Sequence, residues 1–462
     1  MMTATSRLLL PLLILACALR AQVYILHATT DKPDAQYQPG ETITVAVQLL
    51  LDPTTKPEDN RPGNPKHAKP VAGVTLDYTI QADGPIWRQG KLVSALEPVT
   101  LTMKLDYPGW THVVFTPKDK DGKTIRLPRG ASRGIGAMVQ PEKLAYFGQE
   151  PSDFDDFWRS QRQRLDAIPL KPVIRELQLP PAQARSFTLY DFELPCAGDM
   201  PVRGHLSVPI DAKTRKLPAV VSFQGAGVYN SGRPLRRGAI SIDINAHGIL
   251  NDQPQEYYDQ LRDTSLKGYP QFGKDSRDTS YFLGMYLRVM RVLDFAKSRP
   301  EWNGKDLVVI GGSQGGAQSI AAAALDQAVT LCIAGVPALS DHAGSRAVPH
   351  RRQPGWPRLY YAEKDGSVTL PNRPVARAAE YFDNVNFARR IHCETYLSTG
   401  FIDGVCVPTS VYVVFNTLAS TRKFITTTPT AGHNAPNTAG HKRLNELLQP
   451  FVDPQATPNK TP

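Results

Sequence analysis

Between residues 22 and 137 apolar and polar positions alternate in short runs. Residues 42–49 (TITVAVQL), 74–80 (VTLDYTI) and 99–105 (VTLTMKL) each place apolar side chains at every second position, the period of a strand with one buried face. Gln38-Pro39-Gly40, Pro108-Gly109 and Asp121-Gly122 supply turn chemistry between the runs. Short alternating strands with regular turns predict an all-β, Ig-like sandwich over this stretch. The polar, Pro-rich residues 52–70 predict a long exposed loop within it.

The period then changes. Ser152 is the predicted N-cap of a helix with Asp155 three residues on, and Phe154, Phe157, Trp158 and Leu165 fall on one face. Residues 138–175 therefore read as a helical arm. Residues 176–452 alternate mostly apolar runs with helical stripes. The runs are 219–223 (AVVSF), 239–244 (AISIDI), 307–310 (LVVI) and 331–334 (LCIA). The stripe in 279–298 comprises Phe282, Tyr286, Val289, Leu293 and Ala296, and residues 411–418 and 442–448 read as further helices. Strands apolar on both faces, alternating with helices, predict an α/β fold with a mostly parallel, doubly wound sheet. Residues 453–462 read as a tail.

Composition limits the class. The chain has 462 residues, 41% apolar and 21% charged, an ordinary globular balance with room for two or three domains. Its long apolar run is residues 8–19, behind Arg7 and ahead of small residues. Twelve residues are too few to span about 30 Å as a helix, and the order matches an export signal over residues 1–21. Cleavage after Ala18 or Ala21 fits, as does a lipoprotein-type box ending at Cys17. The four remaining cysteines, Cys196, Cys332, Cys393 and Cys406, are too sparse for a disulfide scaffold, and their spacing predicts no structural zinc. The net charge of +10 concentrates locally in residues 118–133, a solvated hairpin or a patch for acidic polysaccharide. No nucleic-acid-binding motif accompanies it.

The chemistry centres on Gly311-Gly312-Ser313-Gln314-Gly315, between an apolar strand and the helix-forming residues 317–324. A GxSxG at a strand-to-helix turn is a nucleophile elbow. The turn aims the serine oxygen outward and leaves the next N–H at a helix N-terminus, where a developing oxyanion is stabilised. A serine needs a base, and the base an orienting acid. The chain order Ser, acid, His selects His433, in a loop after residues 424–428, over His392 and His441. It selects Asp403, just past a strand, over Asp341, Asp383 and Glu394; Glu394 lies at the wrong end of its strand and Asp383 reads as a surface residue. Gln224-Gly225-Ala226-Gly227 follows the 219–223 strand and offers the Ala226 N–H as second oxyanion donor beside that of Gln314.

At these residues the sequence resembles the acetyl xylan esterase and cephalosporin-C deacetylase family, carbohydrate esterase family 7, over about residues 140–450. GGSQGG at 311–316, the acid segment around Asp403 (FIDGVCVP, 401–408), Gly432-His433 and the arm SDFDDFW (152–158) carry the resemblance. It departs at Ala246-His247-Gly248-Ile249, where the family has Arg-Gly-Gln, at Ala226, where an aromatic residue is common and Tyr229 stands nearby as a substrate-binding candidate, and at Asn434, where Glu is usual. The resemblance implies an α/β-hydrolase fold, removal of acetyl groups from carbohydrate such as xylan, no metal or organic cofactor, and homo-oligomeric assembly. Two other readings use the same residues: hydrolysis of another ester, such as a uronoyl ester or an acetylated antibiotic, and a non-catalytic carbohydrate-binding protein.

Overall fold

The computed structural model describes residues 23–53, 55, 66–83, 85–347, 349–359 and 373–452. The leader with Cys17, the middle of the Pro-rich segment and the tail 453–462 lie outside the described residues.

The N-terminal strands are β1 (Val23–Thr30), β2 (Gln36–Tyr37), β3 (Thr42–Asp52), β4 (Lys69–Pro70), β5 (Thr75–Ala82), β6 (Ile86–Val93), β7 (Val99–Lys104), β8 (Gly109–Lys118) and β9 (Gly134–Val139). β1, β3, β4 and β7 form one sheet, and β2, β9, β8, β5 and β6 form the other. The alternation does what its period predicts: Ile43, Val45, Val47 and Leu49 of β3 are buried while the residues between them are not. The two inner faces share one core with Leu76, Ile80, Trp110, Val113 and Phe115. The predicted 52–70 loop is shorter than expected at its far end, because Lys69–Pro70 pairs with Leu50 and Leu51.

α1 (Phe154–Asp166) buries Phe154, Phe157, Trp158 and Leu165, the predicted face. Its cap is Asp153, not Ser152, and no side chain caps the turn. The Asp153 carboxylate is engaged elsewhere, by Arg277 at 2.6 Å and by the Tyr381 hydroxyl.

The second half runs β10 (Val173–Leu177), α2 (Pro181–Ala184), β11 (Phe187–Leu194), β12 (Val202–Pro209), β13 (Leu217–Phe223), β14 (Ile240–Ile244), α3 (Gln255–Asp263), α4 (Tyr281–Ser298), β15 (Trp302–Gly312), α5 (Gln314–Leu325), β16 (Leu331–Gly335), α6 (Arg373–Glu380), α7 (Asn384–Ala388), β17 (Glu394–Gly400), α8 (Pro408–Thr417), β18 (Lys423–Thr428) and α9 (Thr438–Val452). Its strands build a sheet of order β10-β11-β12-β14-β13-β15-β16-β17-β18. From β14 to β18 all neighbours are parallel, and β10, β11 and β12 add an antiparallel flank. This is the mostly parallel, doubly wound sheet of an α/β-hydrolase.

Successive residues of the central strands face opposite layers. Val220, Val308, Ile310, Leu331 and Ile333 pack with Leu444 and Leu448 of α9. Val221, Leu307, Val309 and Cys332 pack with α4 and α5. Burial on both sides explains why these strands read as unbroken apolar runs. That second core is continuous with the core of the N-terminal sheets.

Candidate active site

Ser313 sits between β15 and α5 with φ 58° and ψ −123°, a conformation that non-glycine residues rarely adopt. Its N–H donates to the Gly335 carbonyl at 2.9 Å and its carbonyl accepts from Ala338 at 3.0 Å, so the end of β16 holds the turn. The outer glycines are there for space. A Cβ on Gly315 would lie 2.2 Å from the Phe223 carbonyl oxygen, and one on Gly311 2.4 Å from that of Gly315. The tight approach brings the start of α5 against the end of β13.

The predicted trio meets. His433 Nε2 lies 2.9 Å from Ser313 Oγ, and His433 Nδ1 lies 2.9 Å from Asp403 Oδ2. Asp403 is fully buried past the end of β17, and its other oxygen accepts from the Val405 and Cys406 N–H groups at 2.7 and 3.0 Å. Those two bonds fix the carboxylate face that meets the imidazole. With Asp403 accepting at Nδ1, the ring carries its proton there and presents Nε2 as an acceptor toward the serine hydroxyl. The His433 side chain keeps a third of its surface exposed.

The rejected acids lie elsewhere. Asp383, predicted at the surface, is fully buried: it caps α7 and accepts from the Val385, Asp341 and His342 N–H groups. Asp341 pairs with Arg352, and Glu394 with Arg443 and Arg422.

Gln314 is the first residue of α5, so its N–H is one of the helix donors without an intrahelical acceptor. Ala226 is exposed in the loop after β13, and a Cβ on its neighbour Gly225 would lie 3.7 Å from the Gly312 carbonyl. That loop therefore lies over the serine turn. The Tyr229 hydroxyl donates to the Gly225 carbonyl at 3.2 Å, bracing the same loop, while 40% of the residue stays exposed.

A buried relay beneath the loop has no periodic signature in the sequence. The Tyr269 hydroxyl donates to Gln314 Oε1 at 2.8 Å and accepts from the Gly227 N–H at 3.4 Å. His247 holds the Gly227 carbonyl through Nε2 at 2.9 Å and meets the Tyr281 hydroxyl through Nδ1 at 2.8 Å. Burial pushes His247 down to about 4, so it is neutral at ordinary pH. Burial pushes the Tyr269 phenol up, keeping it a donor. Cys406 is buried beside the triad. Burial first, then the Asp403 charge, raises its thiol well above the usual range. No competing thiolate forms next to the serine. Among the described residues no cluster of three or more His, Cys, Asp or Glu has metal-site geometry.

The acetyl xylan esterase family model matches residues 142–449. The chain belongs to the acetyl xylan esterase family. Acetyl esterase Axe7A of Xylanibacter ruminicola is 32% identical over 296 residues, a match that spans 62% of this chain and 64% of that relative's length. Among solved structures, an acetyl xylan esterase from Paenibacillus shares the fold with a TM-score of 0.54 at 24% identity, over 68% of this chain and 98% of that one. Acetyl Xylan Esterase 1 from Thermoanaerobacterium does so with a TM-score of 0.50 at 20% identity, over 67% and 97%.

This family member also contains a second Ser–His–Asp contact. Ser231 Oγ is 2.8 Å from His205 Nδ1, and His205 Nε2 is 3.1 Å from Asp252. Ser231 and His205 are buried, and Asp252 also takes Arg233 and Asn230. Burial denies this set a substrate. It ties the loop that carries Tyr229 down to β12.

Proposed function

We propose that the chain is a serine carboxylic ester hydrolase that removes acetyl groups from acetylated carbohydrate, xylan or its oligosaccharides among them. The observation that carries the reading is the His433 ring bonded at one nitrogen to Ser313 and at the other to a buried Asp403. The family supports the acetyl ester as the bond cleaved.

In this reading Ser313 Oγ attacks the acetyl carbonyl carbon while its proton passes to His433 Nε2. Asp403 stabilises the imidazolium that forms. The Gln314 and Ala226 N–H groups hold the oxyanion, each worth roughly 2.7–4 kcal/mol of transition-state stabilisation. His433 then protonates the departing sugar oxygen, leaving acetyl on Ser313. Water attacks that ester as His433 takes its proton. Collapse releases acetate and returns the proton to Ser313. Every proton moves between His433 and an oxygen, so the cycle closes with the chain's own groups.

Among the described residues no helix is long and apolar enough to cross a membrane. We propose export through the leader read at residues 1–21 and, from the family resemblance, assembly into a homo-oligomer that sedimentation would measure.

The test is acetate release from acetylated xylan and xylo-oligosaccharides, run beside a uronoyl ester and an acetylated cephalosporin. Acetate release lost on Ser313→Ala supports the proposal. Turnover of the uronoyl ester alone moves the substrate class. Polysaccharide binding without turnover of any ester overturns the enzyme reading.

A further inference from the structure

The family match begins at residue 142, past every strand from β1 to β9. Those strands nonetheless touch the two loops that carry Asp403 and His433. Trp110, in β8, is 1% exposed, and its indole N–H donates to the Phe401 carbonyl at 2.7 Å. Phe401 precedes Asp403 by two residues, and its own N–H donates to Thr428 at the end of β18. One strand over, the Gly136 N–H donates to the Pro429 carbonyl at 2.9 Å, in the loop leading to His433. A Cβ at Gly136 would lie 1.9 Å from the Phe401 carbonyl oxygen, so only glycine lets β9 approach this closely.

A third attachment flanks these two. Buried Asp83, just past β5, accepts from the Trp110 N–H at 3.4 Å. Its backbone carbonyl accepts from Gln353 at 3.1 Å. A catalytic constellation must be held to about 0.5 Å by the shell around it. Here part of that shell comes from a region outside the family match.

We infer that the N-terminal sheets clamp the hydrolytic site, with Trp110 as a positioning residue for Asp403 and Gly136 setting the approach of the loop that bears His433. The inference rests on reading Asp403 and His433 as the acid and base of the triad. The indole bond satisfies a buried carbonyl and removes the freedom of the acid loop to swing away from the imidazole. The sheets are thus part of the esterase's working structure rather than a module tethered beside it.

The test uses the full chain with two replacements at position 110: Trp110→Phe, and benzothienylalanine, which keeps the bicyclic shape and lacks the N–H. Asn416→Ala is the control. It removes bonds to the Pro141 and Leu144 carbonyls of the segment that links β9 to α1. Both Trp110 replacements are expected to lower kcat by roughly ten- to a hundredfold with KM within about twofold, the size of effect a small misplacement of reacting groups produces. They are also expected to broaden or shift the downfield proton resonance of the His433–Asp403 bond. Asn416→Ala is expected to lower the melting temperature and keep kcat and the resonance.

If a folded position-110 variant keeps wild-type kcat and the resonance while Ser313→Ala is inactive, the clamp is overturned and the triad reading stands. An equal loss of kcat in Asn416→Ala also overturns it, as non-specific loosening. If Ser313→Ala stays active, the triad reading fails and the clamp fails with it.

Discussion

Replacing Tyr269 by phenylalanine removes one oxygen atom at the point that ties Gln314 to the loop of Ala226, whose N–H groups are the oxyanion donors proposed above. The ring itself is fixed by neighbours that a phenylalanine would keep: His247 edge-on at 4.6 Å and Tyr281 at 4.6 Å between centroids. What disappears is the 2.8 Å bond to Gln314 Oε1 and the weaker 3.4 Å bond from Gly227. The Gln314 side chain is fully buried, and among the described residues its Nε2 has no partner. Losing the hydroxyl therefore strands its oxygen as well, at about 1–3 kcal/mol of folding stability. The kinetic effect has an upper bound. Deleting an oxyanion donor outright costs about 2.7–4 kcal/mol. In Tyr269→Phe the Gln314 and Ala226 N–H groups survive and only their anchoring is lost. About a third to a half of that, near 1.4 kcal/mol, corresponds to a roughly tenfold fall in kcat. Because the donors act on the tetrahedral intermediate and not on the bound ester, KM should hold within about twofold. Steady-state hydrolysis of p-nitrophenyl acetate, with thermal denaturation of the same samples, reads both numbers. A variant that loses stability yet keeps kcat within twofold of wild type would show that the relay supports the fold and not the oxyanion hole, refuting the reasoning.

Two further outcomes follow from the site. Asp403→Asn keeps the shape but lets the amide donate toward Nδ1, favouring the wrong imidazole tautomer, so kcat should drop by on the order of 10⁴ with the protein still folded; circular dichroism beside the rate would catch a merely unfolded variant. The buried His112, His247 and His342 are each pushed down to about 4 by burial, against 6.5 in an open chain. Each of these imidazoles binds more protons in the unfolded chain than in the folded one between pH 4 and pH 6.5, so each draws stability down as pH drops through that window, against Asp83, Asp243, Asp341, Asp383 and Glu380, whose carboxyls burial pushes up. Urea midpoints of the wild type and of His112→Asn across that range isolate one such contribution: the gap between them should narrow as pH drops, and a gap independent of pH would exclude it.

The meeting of Ser313, Asp403 and His433 was legible because each has a local signature. Glycines flank Ser313, a strand precedes it, a helix follows, and chain order singles out Asp403 and His433. The central strands were legible because burial on both faces removes polar residues from them. What escaped the sequence depends on contacts between distant residues. The bond from Trp110 to Phe401 joins positions 291 apart, and Tyr269 opens a three-residue 3-10 turn, too short for an apolar period to mark its ring as buried. Asp383 read as a surface carboxylate because composition cannot show three backbone N–H groups converging on it. Ser152 read as a helix cap by residue type, while Asp153 was placed at the cap by Arg277 and Tyr381, which draw its carboxylate outward.

Among the described residues one core runs from Leu26 in β1 through Trp110 and Phe154 to Leu418 and joins both halves of the chain. Heat should melt both halves in a single cooperative endotherm. Cutting the chain after β9 to make a smaller enzyme would bare the apolar underside of the acid loop, and an exposed patch of that kind invites aggregation. Shortening the chain at the N-terminus is therefore a change to the half that carries Ser313, Asp403 and His433.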